Sequence, residues 1–147
     1  MKIEYVDERY VIYGMLFSLC NRIQTIGDKE FEDITLKQHF FLASLELFVD
    51  SPSLREMGEL IGCSYQNVKR MAQHLQKAGY LNIVQDKEDR RKLLLISTEK
   101  MHKLAKQKRE KSLRFMENLY KNISDDELKM TLLTLKKMNK NIGGVIK

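Results

Sequence analysis

LREMGELIGCSYQNVKRMAQ, residues 54–73, is the stretch on which the fold turns. Asp50-Ser51-Pro52-Ser53 before it is a turn ending in a good N-cap, so a short helix should start near Leu54 and stop at Gly62. A second helix should start after Ser64 and end at Gly79. Gly58 is the small residue needed where two helices approach closely, and Gly62 sits where the turn backbone needs the positive φ that glycine takes cheaply. Met57, Ile61, Val68 and Met71 fall at the internal apolar contacts of such a pair. Apolar and small residues at these fixed offsets spell a helix-turn-helix. A helical hairpin of similar pattern is the alternative that this segment alone leaves open.

The second helix narrows the choice. Val68, Met71, Leu75 and Ala78 form an inward stripe, and the opposite side presents Tyr65, Gln66, Lys69, Arg70, Gln73 and His74. Amide side chains can pair bidentately with adenine, Arg and Lys with guanine, and an aromatic ring can meet a thymine methyl. A merely solvated face would more often be rich in Glu, yet residues 64–85 contain no acidic residue. A carboxylate there would be repelled by phosphates along the whole approach.

Downstream, Tyr80 to Val84 and Leu93 to Ile96 read as two strands of a hairpin. Its tip, Asp86 to Lys92, is charged at every position. A hairpin directly after a recognition helix is the wing of a winged helix, and Lys87, Arg90, Arg91 and Lys92 are placed to reach the DNA backbone or minor groove. The interleaved Asp86, Glu88 and Asp89 fit this, because an Asp two residues from an Arg in a tight turn can hold the guanidinium in one rotamer. A charged tip that only keeps the hairpin soluble is the bland alternative.

Further out, both flanks are helical. Ile12, Leu16, Leu19, Ile23 and Ile26 recur at helical spacing beside a second stripe of Tyr13, Phe17 and Cys20, which implies two partners for a helix buried on several sides. Gly27 to Asp33 breaks the pattern, and Leu36 to Phe48 resumes it with Leu36, Phe40, Ser44, Leu47 and Phe48 on one side. After the hairpin, Thr98 can cap a helix running through Leu104 to Leu119. Ser124 and Glu127 have capping-box spacing ahead of a final helix carrying Leu128, Leu132, Leu135 and Ile142.

The chain's 147 residues are the size of one domain, without linker, repeat or low-complexity tail. Net charge is −5 over residues 1–63, +9 over 64–114 and +2 over 115–147, so the excess of +6 sits in the central block and points to a polyanionic partner. Tyr10 to Cys20 is well short of the roughly 20 apolar residues of a membrane span and lacks a signal peptide's basic flank and cleavage site. Cys20 and Cys63 are too few for a disulfide framework and read as buried thiols of a reduced, cytoplasmic protein. No phosphate loop, nucleophile elbow or HExxH is present, and His39, His74 and His102 lie far apart, so neither an enzyme, a cofactor nor a metal site is expected.

SLREMGELIGCSYQNVKRMAQHLQKAGYL followed by DKEDRRKLLLIST resembles the multiple-antibiotic-resistance regulator (MarR) family, with its D-x-R wing element at Asp89-Arg90-Arg91 and the strand Leu93 to Thr98 after it. The resemblance covers about residues 8–142, its specific motif about 53–99. It implies a homodimer knit by the first and last two helices, bound to pseudo-palindromic operator DNA and often released by a small ligand or thiol oxidation. It implies that Arg91 enters the minor groove oriented by Asp89, and that Ser64, Tyr65, Gln66, Asn67 and Lys69 sit at the major-groove edge. It also implies a ligand pocket between the first, second and fifth helices, where Tyr10, Tyr13 or His39 could line the space or simply fill core. The chain departs from the family at Ile83 and Val84, where a basic pair is common before the wing, and at Cys20, which lies later than the reactive cysteine of the peroxide-sensing branch.

The expectation is therefore a mainly α protein with a small β-hairpin wing. One MarR-like domain spans 1–147, with a winged helix-turn-helix over about 35–98 and dimerisation helices over about 5–27 and 98–142. Its function would be that of a DNA-binding transcriptional regulator, more a repressor than an activator, whose partners are double-stranded DNA, itself and a small-molecule inducer. The competing reading is a winged-helix protein- or RNA-interaction module, with the basic run Lys100 to Arg114 as an RNA-facing helix.

Overall fold

Six helices and one hairpin follow in the order the sequence predicts. They are α1 (Glu8–Glu30), α2 (Leu36–Leu45), α3 (Leu54–Ile61), α4 (Tyr65–Lys77), β1 (Leu81–Gln85), β2 (Leu93–Ser97), α5 (Glu99–Leu119) and α6 (Asp125–Asn141). The structure is a computed structural model, and it describes residues 6–144. The chain divides into two compact units, Met1–His39 and Phe40–Lys147.

In the first unit α1 runs through Gly27, where the sequence suggested a break, and ends only at Phe31. Buried against the Leu36 side chain, Gly27 has no Cβ to collide with it, so the residue expected to stop the helix instead lets the chain fold back. Asp28 fastens the corner by accepting from the Leu36 N–H at 2.6 Å. Thr35 and Gln38 exchange hydrogen bonds to start α2.

The expected burial of the first helix is not what a single chain shows. Tyr10, Tyr13 and Phe17 are 60–70% exposed, Leu19 and Ile26 are exposed too, and Gly27 alone in α1 is buried. Apolar content states that a side chain gains by leaving water, not that its own chain will cover it. The stripe foreseen for α2 is also rotated. Phe41, Leu42, Ser44 and Leu45 are the buried positions, while Phe40 and Leu47 face solvent.

The core of the second unit gathers Phe41, Leu42 and Leu45 of α2, Leu54 and Met57 of α3, Val68, Ala72 and Leu75 of α4, Leu81 and Leu95 of the hairpin, and Met101 and Leu104 of α5. Each of these side chains larger than Ala72 contributes about 1.5–3 kcal/mol by leaving water. Both caps of α3 form as the residue types predict. Ser53 and Glu56 make a reciprocal capping box, and Gly62 takes φ 69° at the C-cap. The Gly62 N–H and the Cys63 N–H both return to the Gly58 carbonyl.

β1 and β2 pair antiparallel, from Leu81 opposite Ser97 to Gln85 opposite Leu93. β2 has a neighbour on its other edge as well, because the Leu95 N–H donates to the Pro52 carbonyl at 2.8 Å beside a bridge between Ser53 and Leu94. The wing is therefore pinned to the segment that starts α3. In α6 the Ser124–Glu127 capping box forms, but no residue is buried and Leu132, Leu133 and Met130 are exposed.

A Cβ on Gly58 would lie 2.8 Å from the Cys63 carbonyl oxygen, a backbone atom that cannot swing away. Gly58→Ala should therefore lower stability by about 1–3 kcal/mol in urea unfolding at fixed protein concentration; an unchanged midpoint would mean that the turn is not packed this closely.

Candidate nucleic-acid interface

The inward side of α4 is Val68, Ala72 and Leu75, with Met71 half-buried; Ala78, expected on this stripe, is instead the exposed C-cap. Because that side is committed to the core, the opposite one is fixed in solvent. Ser64, Tyr65, Gln66, Asn67, Arg70, Gln73 and His74 are all exposed and Lys69 is half-exposed. Gln66, Asn67, Lys69, Arg70 and Gln73 line an open concavity of about 460 Å³. Ser64 caps the helix by accepting from the Asn67 N–H, and the first turn contains no carboxylate. The helix's positive end is left without a counter-charge.

Two residues of this region were not anticipated. Lys77 is exposed and continues the series Gln66, Arg70, Gln73 at helical spacing, a signal the sequence did contain. Gln76 accepts from the Ile83 N–H at 2.6 Å and so ties α4 to the first strand of the wing. Nothing in a linear pattern marks that contact. The far end of α4 is closed by Lys100, which donates to the Ala78 carbonyl at 2.7 Å and lies 4.7 Å above the Tyr80 ring. A cation at a helix C-terminus is where the macrodipole favours it.

At the wing tip two of the three acids, Asp86 and Asp89, accept hydrogen bonds within the turn. Asp86 accepts from the Glu88 and Asp89 N–H groups at 2.7 and 2.9 Å. These bonds, first that from Asp89 and then that from Glu88, with the charge of Lys92 as a smaller aid, hold its carboxyl below the usual carboxylate range. Asp89 accepts from the Arg91 N–H and Nε at 3.1 and 3.3 Å. The Arg91 side chain is 93% exposed, so the pair adds little to stability. The turn closes with the Asp86 N–H donating to the Lys92 carbonyl and the Lys92 N–H to that of Asp89. Lys87, Arg90 and Lys92 are exposed around it.

The remaining chemical residues lie elsewhere. His39 stacks on Phe31 with ring centroids 4.3 Å apart, and His102 bridges Ser97 and Glu46 at 3.3 and 3.9 Å. Among the described residues no group of three or more His, Cys, Asp or Glu could hold a metal, and no helix is long and apolar enough to cross a membrane. Cys20, expected to be buried, is exposed and Cys63 is half-buried, because each lies on a side that its own unit leaves open. Tyr10 and Tyr13 are exposed rather than filling core.

No protein-family model matches the chain, and no curated protein does. Solved structures do match along nearly its whole length. A MarR protein from Peptoclostridium difficile aligns at 26% identity and a TM-score of 0.82, covering 97% of this chain and 92% of that one. An organohalide-sensing transcriptional regulator in its 2,4-dichlorophenol-bound form aligns at 15% identity and 0.81, covering 96% and 85%. MepR of S. aureus, solved in complex with DNA, aligns at 17% identity and 0.78, covering 93% and 99%.

The lowered pKa of Asp86 fixes a sign. Its hold on the tip is fully present above the unfolded carboxylate value of about 4 and is lost as pH falls through the lower folded value. At neutral pH, Asp86→Ala should speed amide hydrogen exchange at Glu88 and Asp89 while leaving the β1 amides paired with β2 unchanged; equal exchange in both proteins would refute the bracing.

Proposed function

We propose that this chain, a MarR-family winged-helix protein by fold, is a sequence-specific DNA-binding transcriptional regulator that acts in the cytoplasm as a homodimer on pseudo-palindromic sites, represses there and is released by a small ligand. One observation carries the reading. The outward side of α4 is free of carboxylates from Ser64 to Lys77, and beside it stands a wing whose Arg91 is exposed yet oriented. Such a surface suits B-form DNA, where a helix enters the major groove and a guanidinium is drawn into a narrow minor groove.

In this reading Ser64, Tyr65, Gln66, Asn67, Lys69, Arg70, Gln73 and His74 face the major groove, and Lys87, Arg90, Arg91 and Lys92 face the neighbouring backbone and minor groove, with Asp89 orienting Arg91. The chain works as one MarR-like domain, residues about 35–98 binding DNA and about 5–27 and 98–142 joining the protomers.

Dimerisation follows from reach, since one helix reads about half a site and a two-fold pair must span one turn of duplex, about 34 Å. The apolar side chains that α1 leaves in solvent, and in the other unit those of α6, support it. Ligand release has its support in the dichlorophenol-bound neighbour, and duplex binding in the DNA-bound one. The rival RNA-facing helix loses part of its support, because Lys100 is engaged at the end of α4.

Sedimentation of the pure protein at micromolar concentration should give a dimer; a monomer would contradict this part. With roughly four phosphates neutralised per protomer, log affinity for duplex should fall against log salt with a slope near −7, and a slope near zero would exclude the phosphate contacts. Arg91→Ala should weaken binding to a selected site by about 1–3 kcal/mol, whereas unchanged affinity would move the wing outside the interface.

A further inference from the structure

Gln66, Arg70, Gln73 and Lys77 follow one another at spacings of four, three and four, which at about 3.6 residues per turn places them in a single line along α4. That line lies opposite the buried side marked by Val68 and Leu75. By the same spacing Lys69 falls on one flank and His74 and Asn67 on the other. A helix seated in a groove points its central line at the base edges and its flanks toward the phosphate walls.

Arg70 occupies the middle of this line, and its surroundings differ from those of other arginines in the chain. Arg55, Arg91 and Arg114 are each held by a carboxylate, from Glu59, Asp89 and Glu110 respectively. Arg70 is held instead by a neutral group, its Nη2 donating to the Asn67 amide oxygen at 3.2 Å. An amide fixes the direction of a guanidinium without cancelling its charge, and it occupies one of five N–H donors. The other donors remain for a partner offering two acceptors side by side. In the major groove that partner is guanine, through O6 and N7, whereas adenine places an N–H donor where the second acceptor would be.

We propose that Arg70 reads one guanine in each half-site and that Asn67 is its positioning residue, an inference that rests on the DNA-binding reading above. Gln66 and Gln73 are seven residues apart, about 10.5 Å of helix rise, which corresponds to about three base-pair steps at 3.4 Å. The G·C pair therefore lies inside a window of about three steps, bounded by the pairs facing the two glutamines.

The test is selection from a random duplex library, with sequencing, by the full-length protein and by Arg70→Ala, Arg70→Lys, Asn67→Ala and Asn67→Asp. The wild type should enrich a two-fold site with one G·C pair at an equivalent position in each half. Arg70→Ala should flatten the preference at that pair alone, a loss of about 5- to 150-fold in discrimination, with the other positions kept. Asn67→Ala should blunt the same preference, and Asn67→Asp, which keeps an oxygen acceptor but adds a carboxylate, should keep the preference at that pair while weakening binding to every duplex. Arg70→Lys should retain overall affinity better than Arg70→Ala and keep only part of the discrimination, since an ammonium can reach O6 and N7 but lacks the planar fork.

If Arg70→Ala weakens all duplexes uniformly and leaves every preference intact, Arg70 is a phosphate contact and the inference fails while DNA binding stands. Equal preferences in the wild type and Asn67→Ala would remove the positioning role. A wild type that enriches no sequence overturns the DNA-binding reading, and this one with it.

Discussion

The close passage of the chain at Gly58 is the constraint on which the candidate interface depends. The Cys63 carbonyl lies where a Cβ on Gly58 would project, and the Val68 side chain closes on the same spot. A residue of any greater bulk would push α4 away from α3. With the passage kept, Val68, Ala72 and Leu75 can reach the core, and the orientation of every outward side chain on α4 follows from theirs. Specific recognition needs this, because base edges are read by hydrogen bonds that tolerate only small errors in direction.

Around that helix, several polar contacts fasten neighbouring elements to one another. Gln76 ties α4 to β1, Lys100 and Thr98 hold the carbonyls of Ala78 and Gly79, and the Pro52 carbonyl pairs with β2 on the edge away from β1. The wing is thus gripped from both the end of α4 and the start of α3. At its tip, Asp86 grips the turn and Asp89 grips Arg91. The carboxylates of Asp86 and Asp89 are already bound to N–H groups of their own loop, which limits the repulsion they could offer a phosphate, whereas Glu88 stands exposed.

Most of the second unit was legible because its signals are local. The caps at Ser53, Ser64, Thr98 and Ser124, the glycine at position 62 and the strand pattern around the charged tip each depend on neighbours within a few residues. What depends on distant packing was read less well. Gly27 suggested a helix end and was a close contact with Leu36, and the stripe on α2 was rotated by about one residue. Gln76 carries no motif, since its partner is a strand amide seven residues on. Lys77 is different, since its spacing from Gln73 is a signal the sequence itself contains.

Burial was the least legible property. The sequence pattern of α1 suggests a helix buried on several sides, and the single chain leaves those side chains exposed, Cys20 among them, as it does the apolar side chains of α6. Periodicity cannot distinguish a cover supplied by the same chain from one supplied by another. Whether the carboxylate-free side of α4 and the Arg91-tipped wing form one surface for duplex DNA is read from backbone amide resonances followed while a selected duplex is added. The largest shifts should cluster at residues 64–77 and 86–92; shifts confined to the basic side of α5, or none at all, would contradict it.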